Sequence, residues 1–362
     1  MTEKKAFDYE HMAIRGEEMP DGLPSYDQTM FLNLRSLYDQ YRKGLISREV
    51  AKKEKNTAAT KAEFMADLDI LFDELKNSYG GYEHFGEERF LLAKENVLKQ
   101  IENKYSFENA VSVLREEFTS FIYDGHFKVD GIPLHHRDRI CPKTFDYAVK
   151  VREIEGIPVF DIKKFYYDTE EEKLQLENFA KSGADYKNCP YLIFDLRMNN
   201  GGSDAYLWEF IMGLTGEEPE PPMDFLQINS DTFLELLKTE YGETGVEPGV
   251  ETYHSDGKMI SSGQKIYVLI DRYVSSSGES AIANLKAIEG TVVLGENSGG
   301  CYFSGNCMDI YLPNTGLCVY YGTGRILYNG TQNIDEQGGF APDIYGEFEV
   351  ADVVVMIKNG TI

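Results

Sequence analysis

Four short segments of the chain carry residue types that could together break an acyl bond. In the first, FIYDGHFKVDG (residues 121–131), His126 follows a tight Asp-Gly turn. A neutral imidazole in such a turn is suited to general-base chemistry because its pKa lies near neutral pH. A single histidine more often has a surface or packing role. The segment therefore indicates a base only if a nucleophile is found elsewhere.

The second segment, YLIFDLRMNNGGSDAYLWEF (residues 191–210), places two glycines between an apolar strand and a helix. Backbone N–H groups at Gly201 and Gly202 can point at an anion, as an oxyanion hole requires. The segment is not a phosphate-binding loop, because the Lys-Ser/Thr pair of such loops is absent. A tight turn without a catalytic role is the alternative.

The third segment, KIYVLIDRYVSSSGESAIANL (residues 265–285), places three consecutive serines between an apolar strand and an amphipathic helix. A serine at such a junction exposes its hydroxyl near helix N-terminal amides, which can stabilise an oxyanion. Serine and glycine are also favoured N-cap residues, so helix capping is the alternative.

The fourth segment, IDEQGGFAPDIYG (residues 334–346), places Glu336 two residues before a Gly-Gly turn. A carboxylate there could orient an imidazole, which is the third role in a Ser-His-acid triad. The alternative is a solvated surface glutamate. The adjacent His135 and His136 have no acidic partner at helical spacing, so we expect no metal site.

The elements that position these segments follow from the spacing of apolar residues. Residues 1–59 indicate a polar lead-in and a helical hairpin, and residues 60–122 carry three apolar stripes that predict a helical cap domain. Residues 123–362 alternate short β-rich runs with helices, which predicts an α/β core. Residues 216–262 predict an insertion near the ligand side, with a helix over Asp231–Tyr241 followed by a Gly-rich polar loop. The predicted core strands are 147–151, 157–162, 191–196, 265–270, 291–294 and 317–322.

The charge of the chain argues against two classes of partner. Its 362 residues include 61 acidic side chains against 36 lysines and arginines, for a net charge of −25. Such a surface repels nucleic-acid phosphates and anionic membranes, so we expect neither as a partner. No apolar run is long enough to predict a membrane-spanning helix.

The cysteines and the N-terminal residues bear on the compartment. The five cysteines are scattered without a CxxC pair, which favours free thiols over a disulfide framework or structural zinc. The N-terminal residues include early lysines but no apolar stretch of the kind found in signal peptides. We therefore expect a cytoplasmic protein.

Taken together and in this order, the segments resemble the tail-specific (C-terminal processing) serine peptidases, and more closely their tricorn-like branch. DLRMNNGG resembles the family's DLRxNxGG motif, and RYVSSSGES resembles its nucleophile strand, xxTASASE. VVLGENSGG resembles its GExTxG segment, and EQGGFAPD resembles its ExxGxxPD ending. DGHF is similar to the histidine motif of the tricorn-like branch. The resemblance extends from about residue 60 to residue 350.

The resemblance implies a nucleophile and an oxyanion hole. Aligning Glu279 with the glutamate of SASE places the nucleophile at Ser276, and a one-residue slip would choose Ser275 or Ser277 instead. With Ser276 as nucleophile, the oxyanion donors implied by the family are the backbone N–H groups of Ser277 and of Gly201 or Gly202.

The resemblance also implies the base. The processing-peptidase branch uses a lysine 25 residues after the serine, and that position here is Cys301, in a segment (GENSGGCYFSG) without lysine. The tricorn-like branch uses a histidine, and His126 matches its motif, with Glu336 at the acid position. The chain departs from the pattern at Gly125, where that branch often has a serine, and at Gly278, the second serine of SASE. No segment resembles a PDZ module, so capture of C-terminal tails is not implied.

The fold implied by the resemblance is α/β, a crotonase/Clp-peptidase-like spiral of ββα units preceded by an N-terminal helical domain. The activity implied is that of a serine endopeptidase, which hydrolyses unfolded or extended polypeptides through a Ser276 acyl-enzyme and binds them by strand addition. No cofactor is required. Oligomers are common in the family, so assembly of several copies is compatible with the resemblance.

Three other interpretations remain open from the sequence. A catalytically silent module of the same fold would bind a peptide or an apolar ligand. A crotonase-type acyl-CoA enzyme would share the fold but not the serine site, and the DLRxNxGG-like and SSSGE segments disfavour it. Cys301 could itself be a nucleophile, although a small residue filling the position of a lost lysine is the simpler interpretation.

Overall fold

The computed structural model describes residues 55–102, 104–135, 143–241, 245–328 and 339–362. The hairpin expected before residue 55 lies outside these ranges, as do His136, Cys141 and Glu336. Within them, helices and two six-stranded sheets form a mixed α/β fold. None of the described helices combines the length and the apolar character that crossing a bilayer requires.

The elements are numbered here in chain order. The helices are α1 (Lys61–Ser78), α2 (Tyr82–Phe85), α3 (Glu87–Ile101), α4 (Phe107–Thr119), α5 (Glu170–Lys181), α6 (Ala205–Thr215), α7 (Asp231–Tyr241), α8 (Ser277–Lys286) and α9 (Val350–Lys358). The strands are β1 (Lys128–Val129), β2 (Ile132–Pro133), β3 (Val149–Ile154), β4 (Ile157–Ile162), β5 (Tyr191–Asp195), β6 (Met223–Asn229), β7 (Gly249–Ser255), β8 (Lys265–Ile270), β9 (Thr291–Gly295), β10 (Ser304–Tyr311), β11 (Cys318–Tyr328) and β12 (Ile344–Tyr345).

The first four helices pack as a layer on an antiparallel sheet. Helix α1 begins where Thr60 and Glu63 form a reciprocal capping box. Helix α4 begins after Ser106, whose hydroxyl accepts the N–H of Asn109. The strand order of the sheet is β2-β1-β11-β6-β7, with β10 on β11. Helices α1–α4 and α7 share one apolar core with strands β1, β10 and β11.

The second sheet is mostly parallel and is covered on both faces. Its order is β12-β9-β8-β5-β4-β3, and only the edge pair β3–β4 is antiparallel. Helices α5, α6 and α8 pack on one face and α9 packs on the other. Strands β5 and β8 are almost wholly buried, as expected for apolar runs in a parallel sheet with two covered faces.

The region 216–262 differs from the sequence expectation. The predicted helix over Asp231–Tyr241 is present as α7, but strands β6 and β7 flank it. The sequence predicted a polar loop where β7 lies. Nearly all side chains of β7 are exposed, so the strand carries no apolar pattern by which it could be recognised. Its order comes instead from backbone pairing with β6, which pairs in turn with β11. This region therefore supplies two of the six strands of the antiparallel sheet.

Candidate active site

Ser276 and His126 meet although they are 150 positions apart in the sequence. Nε2 of His126 lies 3.1 Å from Oγ of Ser276. Ser276 stands between β8 and α8 on the parallel sheet, and His126 lies in the loop between α4 and β1, beside the antiparallel sheet. The separation is within the range over which a general base takes a proton from a hydroxyl.

The backbone at Ser276 has an unusual conformation, with φ of 56° and ψ of −126°. Non-glycine residues with positive φ are uncommon and are held in place by their surroundings. Here the N–H of Ser275 donates to the carbonyl of Asn199 at 2.9 Å, and the N–H of Glu279 donates to the carbonyl of Ser276 at 2.7 Å. The sharp turn between strand and helix presents the hydroxyl of Ser276, as the sequence pattern predicted.

The glycine loop lies against Ser276 because β5 and β8 are parallel neighbours, so the loops after their carboxyl ends lie side by side. A Cβ added to Gly201 would lie 2.7 Å from Cβ of Ser276, and Gly201 has a φ of 95°. Both facts require glycine at this position. The N–H of Gly201 already donates to the side-chain oxygen of Asn199 at 2.9 Å.

Gly202 is placed differently from Gly201. Phe165, three residues after the neighbouring strand β4, pairs with this loop on one side: its N–H donates to the carbonyl of Gly201, and its carbonyl accepts the N–H of Ser203. The carbonyl of Gly202 therefore faces the other side, where it accepts the hydroxyl of Ser277 at 2.8 Å. In an extended chain the N–H and carbonyl of one residue point to the same side. Within the described residues, the N–H groups of Gly202 and Ser277 have no hydrogen-bond acceptor.

Three side chains lie behind the imidazole. Oγ of Ser304, the first residue of β10, lies 3.4 Å from Nδ1 of His126 and donates to Oδ1 of Asp124 at 2.8 Å. The hydroxyl of Tyr79 donates to Oδ2 of Asp124 at 2.9 Å. Sequence reasoning treated Asp124 only as part of a turn and gave no role to Ser304 or Tyr79. Asp124 could have been noticed because it lies two residues before His126, but nothing in the sequence points to Ser304 or Tyr79.

The protonation of His126 follows from its surroundings. Its side chain is 14% exposed, and burial lowers the pKa of the imidazole below its ordinary value. The negative charge of Asp124 opposes that shift, and the positive charge of Lys128 adds to it. The imidazole is therefore neutral at neutral pH, the state in which Nε2 can accept a proton.

Glu279 fixes the loop that follows β9. Its fully buried carboxylate accepts the hydroxyl of Ser298 at 2.5 Å and the N–H groups of Gly300 and Cys301 at 2.9 and 2.6 Å. Burial raises the pKa of Glu279 to about 7. Glu279 thus connects the start of α8 with Gly300 and Cys301, and Cys301 occupies the position of the lysine in the processing-peptidase pattern.

The departures from the family pattern at positions 125 and 301 fit each other. A Cβ added to Gly125 would lie 2.7 Å from Sγ of Cys301. A serine at position 125 would therefore press on the Cys301 side chain. The two residues bring the histidine loop and the loop after β9 into close contact.

The structure brings together five of the six residues predicted for the site. His126 and Ser276 are hydrogen-bonded, and Ser277, Gly201 and Gly202 lie beside Ser276. The sixth, Glu336, lies outside the described residues. Among the residues that are described, no group of three or more His, Cys, Asp or Glu side chains is placed to hold a metal ion.

Comparison with protein families identifies the chain. Residues 157–345, about half of its length, match the model of peptidase family S41. The chain therefore belongs to peptidase family S41, and this membership implies a serine-type peptidase. No curated protein matches the chain.

Solved structures share the fold at low sequence identity. Mature CPAF is 12% identical and has a TM-score of 0.54, with 83% of this chain and 98% of that chain covered. CPAF complexed with lactacystin is 13% identical and has a TM-score of 0.53, with coverages of 83% and 99%. A protein from Parabacteroides merdae, described as a candidate peptidase, is 15% identical and has a TM-score of 0.51, with coverages of 82% and 96%. The mixed α/β fold is consistent with that of S41 peptidase structures.

Proposed function

We propose that the chain is a serine endopeptidase in which Ser276 is the nucleophile and His126 is the general base. The observation that carries the proposal is the 3.1 Å contact between Nε2 of His126 and Oγ of Ser276. Burial lowers the pKa of His126, so the neutral imidazole is available as a base near neutral pH. The strained turn at Ser276 supports the same role, because nucleophiles are commonly held in such turns.

The proposed reaction is acyl transfer in two stages. His126 takes the proton of Ser276 while Oγ bonds to the peptide carbonyl carbon, and the carbonyl oxygen becomes an oxyanion. The imidazolium then gives its proton to the leaving amine, and the peptide bond breaks to leave an acyl-enzyme. Water then attacks the acyl carbon while His126 takes its proton. That proton passes to Oγ as the acyl–Oγ bond breaks, which releases the new C-terminal carboxyl group and restores Ser276.

The proposed oxyanion donors are the N–H groups of Ser277 and Gly202. Gly201 is the weaker candidate because its N–H donates to Asn199. The N–H of Ser277 lies at the N-terminus of α8, where backbone donors lack partners within the helix. Each donor in such a site contributes about 10²–10³-fold to the rate.

The proposed acid is Glu336, which would complete a Ser-His-Glu triad of the tricorn-like branch. Two sequence features support it: the ExxGxxPD-like ending and the presence of Cys301 in place of the lysine of the other branch. The contact between His126 and Ser276 supports a histidine, and not a lysine, as the base.

The proposed substrates are unfolded or extended polypeptides that reach the site by strand addition. In a folded substrate most backbone N–H and carbonyl groups are already hydrogen-bonded, whereas an extended chain can pair its backbone with an exposed strand. We further propose that the core is a crotonase-like spiral, since β3, β4 and α5 form a ββα unit.

Labelling with a fluorophosphonate probe tests the nucleophile. We expect the wild-type chain to be labelled on Ser276, and Ser276→Ala to lose the label and at least about 10⁴-fold of its peptidase rate. Ser275→Ala is the matched control, because it removes the neighbouring hydroxyl and should retain the label. Mass mapping of the modified peptide identifies the residue.

Two outcomes would contradict the assignment. A label that persists in Ser276→Ala but disappears in Ser275→Ala would move the nucleophile by one residue. A correctly folded wild-type chain that takes no label and cleaves no unfolded protein would favour a catalytically silent binding module.

A further inference from the structure

The carboxylate of Asp124 lies behind the imidazole of His126 and is completely buried. Three donors converge on it: the hydroxyls of Tyr79 and Ser304, and the backbone N–H of His126 at 2.9 Å. Its Oδ1 lies 4.0 Å from Nδ1 of His126. The hydroxyl of Ser304 lies near both groups, 2.8 Å from Asp124 and 3.4 Å from His126.

The directions of these hydrogen bonds define one tautomer of the imidazole. The carboxylate of Asp124 can only accept, so Ser304 must spend its single hydroxyl hydrogen on Asp124. Toward His126 the Ser304 oxygen can then only accept, so Nδ1 carries the hydrogen. Nε2 is left as the acceptor, facing Oγ of Ser276. The base is thus presented in the form that acyl transfer requires.

The three residues behind His126 come from separate elements. Tyr79 follows α1, Asp124 follows α4, and Ser304 begins β10. All three side chains are buried, so water does not compete for their hydrogen bonds. The ring of Tyr79 is itself fixed by packing on Phe127 at a centroid distance of 5.2 Å. The carboxylate is therefore held in one orientation relative to the imidazole.

The structure assigns a positioning role to Asp124, which acts through Ser304 to hold His126 in the Nδ1–H tautomer and to face the imidazolium that forms during acyl transfer. The inference rests on the proposed function of Ser276 and His126 and adds two residues to it. The Ser304 contact at 3.4 Å is long, and hydrogen bonds of this kind shorten when the imidazole becomes charged.

The charges around the imidazole predict how its titration responds. Asp124 raises the pKa of His126, while Lys128 on β1 lowers it. Among the described residues, Asp124 is the one acidic side chain within 4.0 Å of the imidazole. The other titratable side chains described near this pair are Tyr79, which donates to Asp124, Cys301 against Gly125, and Cys307 on β10, whose pKa is raised by burial to about 12.

Two variants and a matched control test the assignment. Asp124→Asn removes the charge, and Ser304→Ala removes the bridging hydroxyl but keeps the charge. The control is Asp67→Asn, since Asp67 is also a buried acceptor, of the N–H groups of Asn314 and Thr315. Asp67 lies within α1, twelve residues before Tyr79, so about 18 Å of helix length separates the two residues. The readout is the rate of fluorophosphonate labelling of Ser276 across pH, separated into probe affinity and maximal rate.

We expect Asp124→Asn to reduce the maximal labelling rate by about 10²–10⁴-fold with little change in probe affinity, as for loss of the orienting acid in other triads. Its acid limb should move to lower pH, because the charge that raises the pKa of His126 is gone. Ser304→Ala should lose about 10-fold, the worth of one hydrogen bond, with its acid limb unmoved. Asp67→Asn should lower the unfolding midpoint and leave rate and acid limb unchanged.

A wild-type rate and an unshifted acid limb in folded Asp124→Asn would overturn the assignment. The assignment would also be overturned if, in the same assay, Glu336→Gln lost the full labelling rate and Asp124→Asn did not. The ¹⁵N chemical shifts of His126 give a second readout that does not need activity: Nδ1–H in the wild type and a tautomer mixture in Ser304→Ala. A wild-type chain with the Nδ1–H tautomer but no label would contradict the proposed peptidase function alone. A wild-type Nε2–H tautomer would overturn the positioning role, even if Asp124→Asn does not fold.

Discussion

Ser276 adopts a backbone conformation that glycine reaches far more easily than serine, with a φ of 56°. A residue held in such a region costs about 1–3 kcal/mol, which the surrounding structure must offset. Hydrogen bonds on both sides of Ser276 do so, one to Asn199 and one within the first turn of α8. In this conformation the hydroxyl of Ser276 lies against His126 and makes no N-cap hydrogen bond to α8.

A comparison of two variants of Ser276 tests this strain. Ser276→Gly should be more stable than Ser276→Ala by about 1 kcal/mol, because glycine relieves the positive φ that alanine retains. In an ordinary helix or strand the order is reversed. Urea unfolding measures both free energies. Equal stabilities, or a more stable alanine variant, would show that the turn is not strained.

Glu279 determines the relation between α8 and the loop after β9. Its carboxylate is the acceptor of three donors in that loop, and it lies three residues after Ser276. The loop in turn carries Cys301, which packs on the turn before His126. A single buried side chain therefore connects the element that follows Ser276 with the loop that packs beside His126.

Replacement of this carboxylate should destabilise the fold. Glu279→Ala leaves buried donors at Ser298, Gly300 and Cys301 without an acceptor, and each such loss costs about 1–3 kcal/mol. We expect a loss of several kcal/mol in urea unfolding. The control is Glu289→Ala, at an exposed residue just after α8, with an expected change within about 0.5 kcal/mol.

The effect should depend on pH with a defined sign. Burial raises the pKa of Glu279 in the folded chain to about 7 from the ordinary value of 4.5. The folded chain therefore binds this proton more tightly than the unfolded chain, so the contribution is fully present below pH 4.5 and is lost as the pH rises through 7. The stability difference between the wild type and Glu279→Ala should shrink over that range. A constant or growing difference would contradict the raised pKa.

At the scale of the whole molecule, the site lies between two apolar cores. The core of the helical layer and the antiparallel sheet holds His126, Asp124 and Ser304 in place. The core of the parallel sheet and helices α5, α6 and α8 holds Ser276. The distance and orientation between His126 and Ser276 thus depend on both cores being folded.

Truncation of a ring in the first core should impair both halves of the site. Phe90 is completely buried and stacks on Tyr82 at 4.3 Å, so Phe90→Ala should cost about 3–5 kcal/mol. Leu92→Ala, at a side chain 56% exposed on the same helix, should change stability by less than about 0.5 kcal/mol. In Phe90→Ala, phosphonate labelling and helical circular dichroism should be lost at the same urea concentration. Labelling that survives loss of the helices would mean that the site does not need this core.

Residues that are neighbours along the chain specify the local parts of the site. An apolar strand, a turn of small residues and a helix are recognisable from neighbouring residues alone, which is why Ser276 and the glycine pair could be predicted. The strands β5 and β8 and the helix α7 were predicted for the same reason. Glu336 was also predicted from its motif, and its role stays a prediction.

The groups that meet in the site come from elements far apart in the chain. The bridge from Ser304 to Asp124 spans 180 residues, and the bond from Tyr79 to Asp124 spans 45, so no local pattern could indicate either. The choice of Gly202 over Gly201 depends on which N–H is already engaged by Asn199. Strand β7 exists because β6 pairs with it and not because of its own side chains. Local spacing fixes secondary structure, whereas hydrogen-bond partners in a buried site are set by the packing of distant elements.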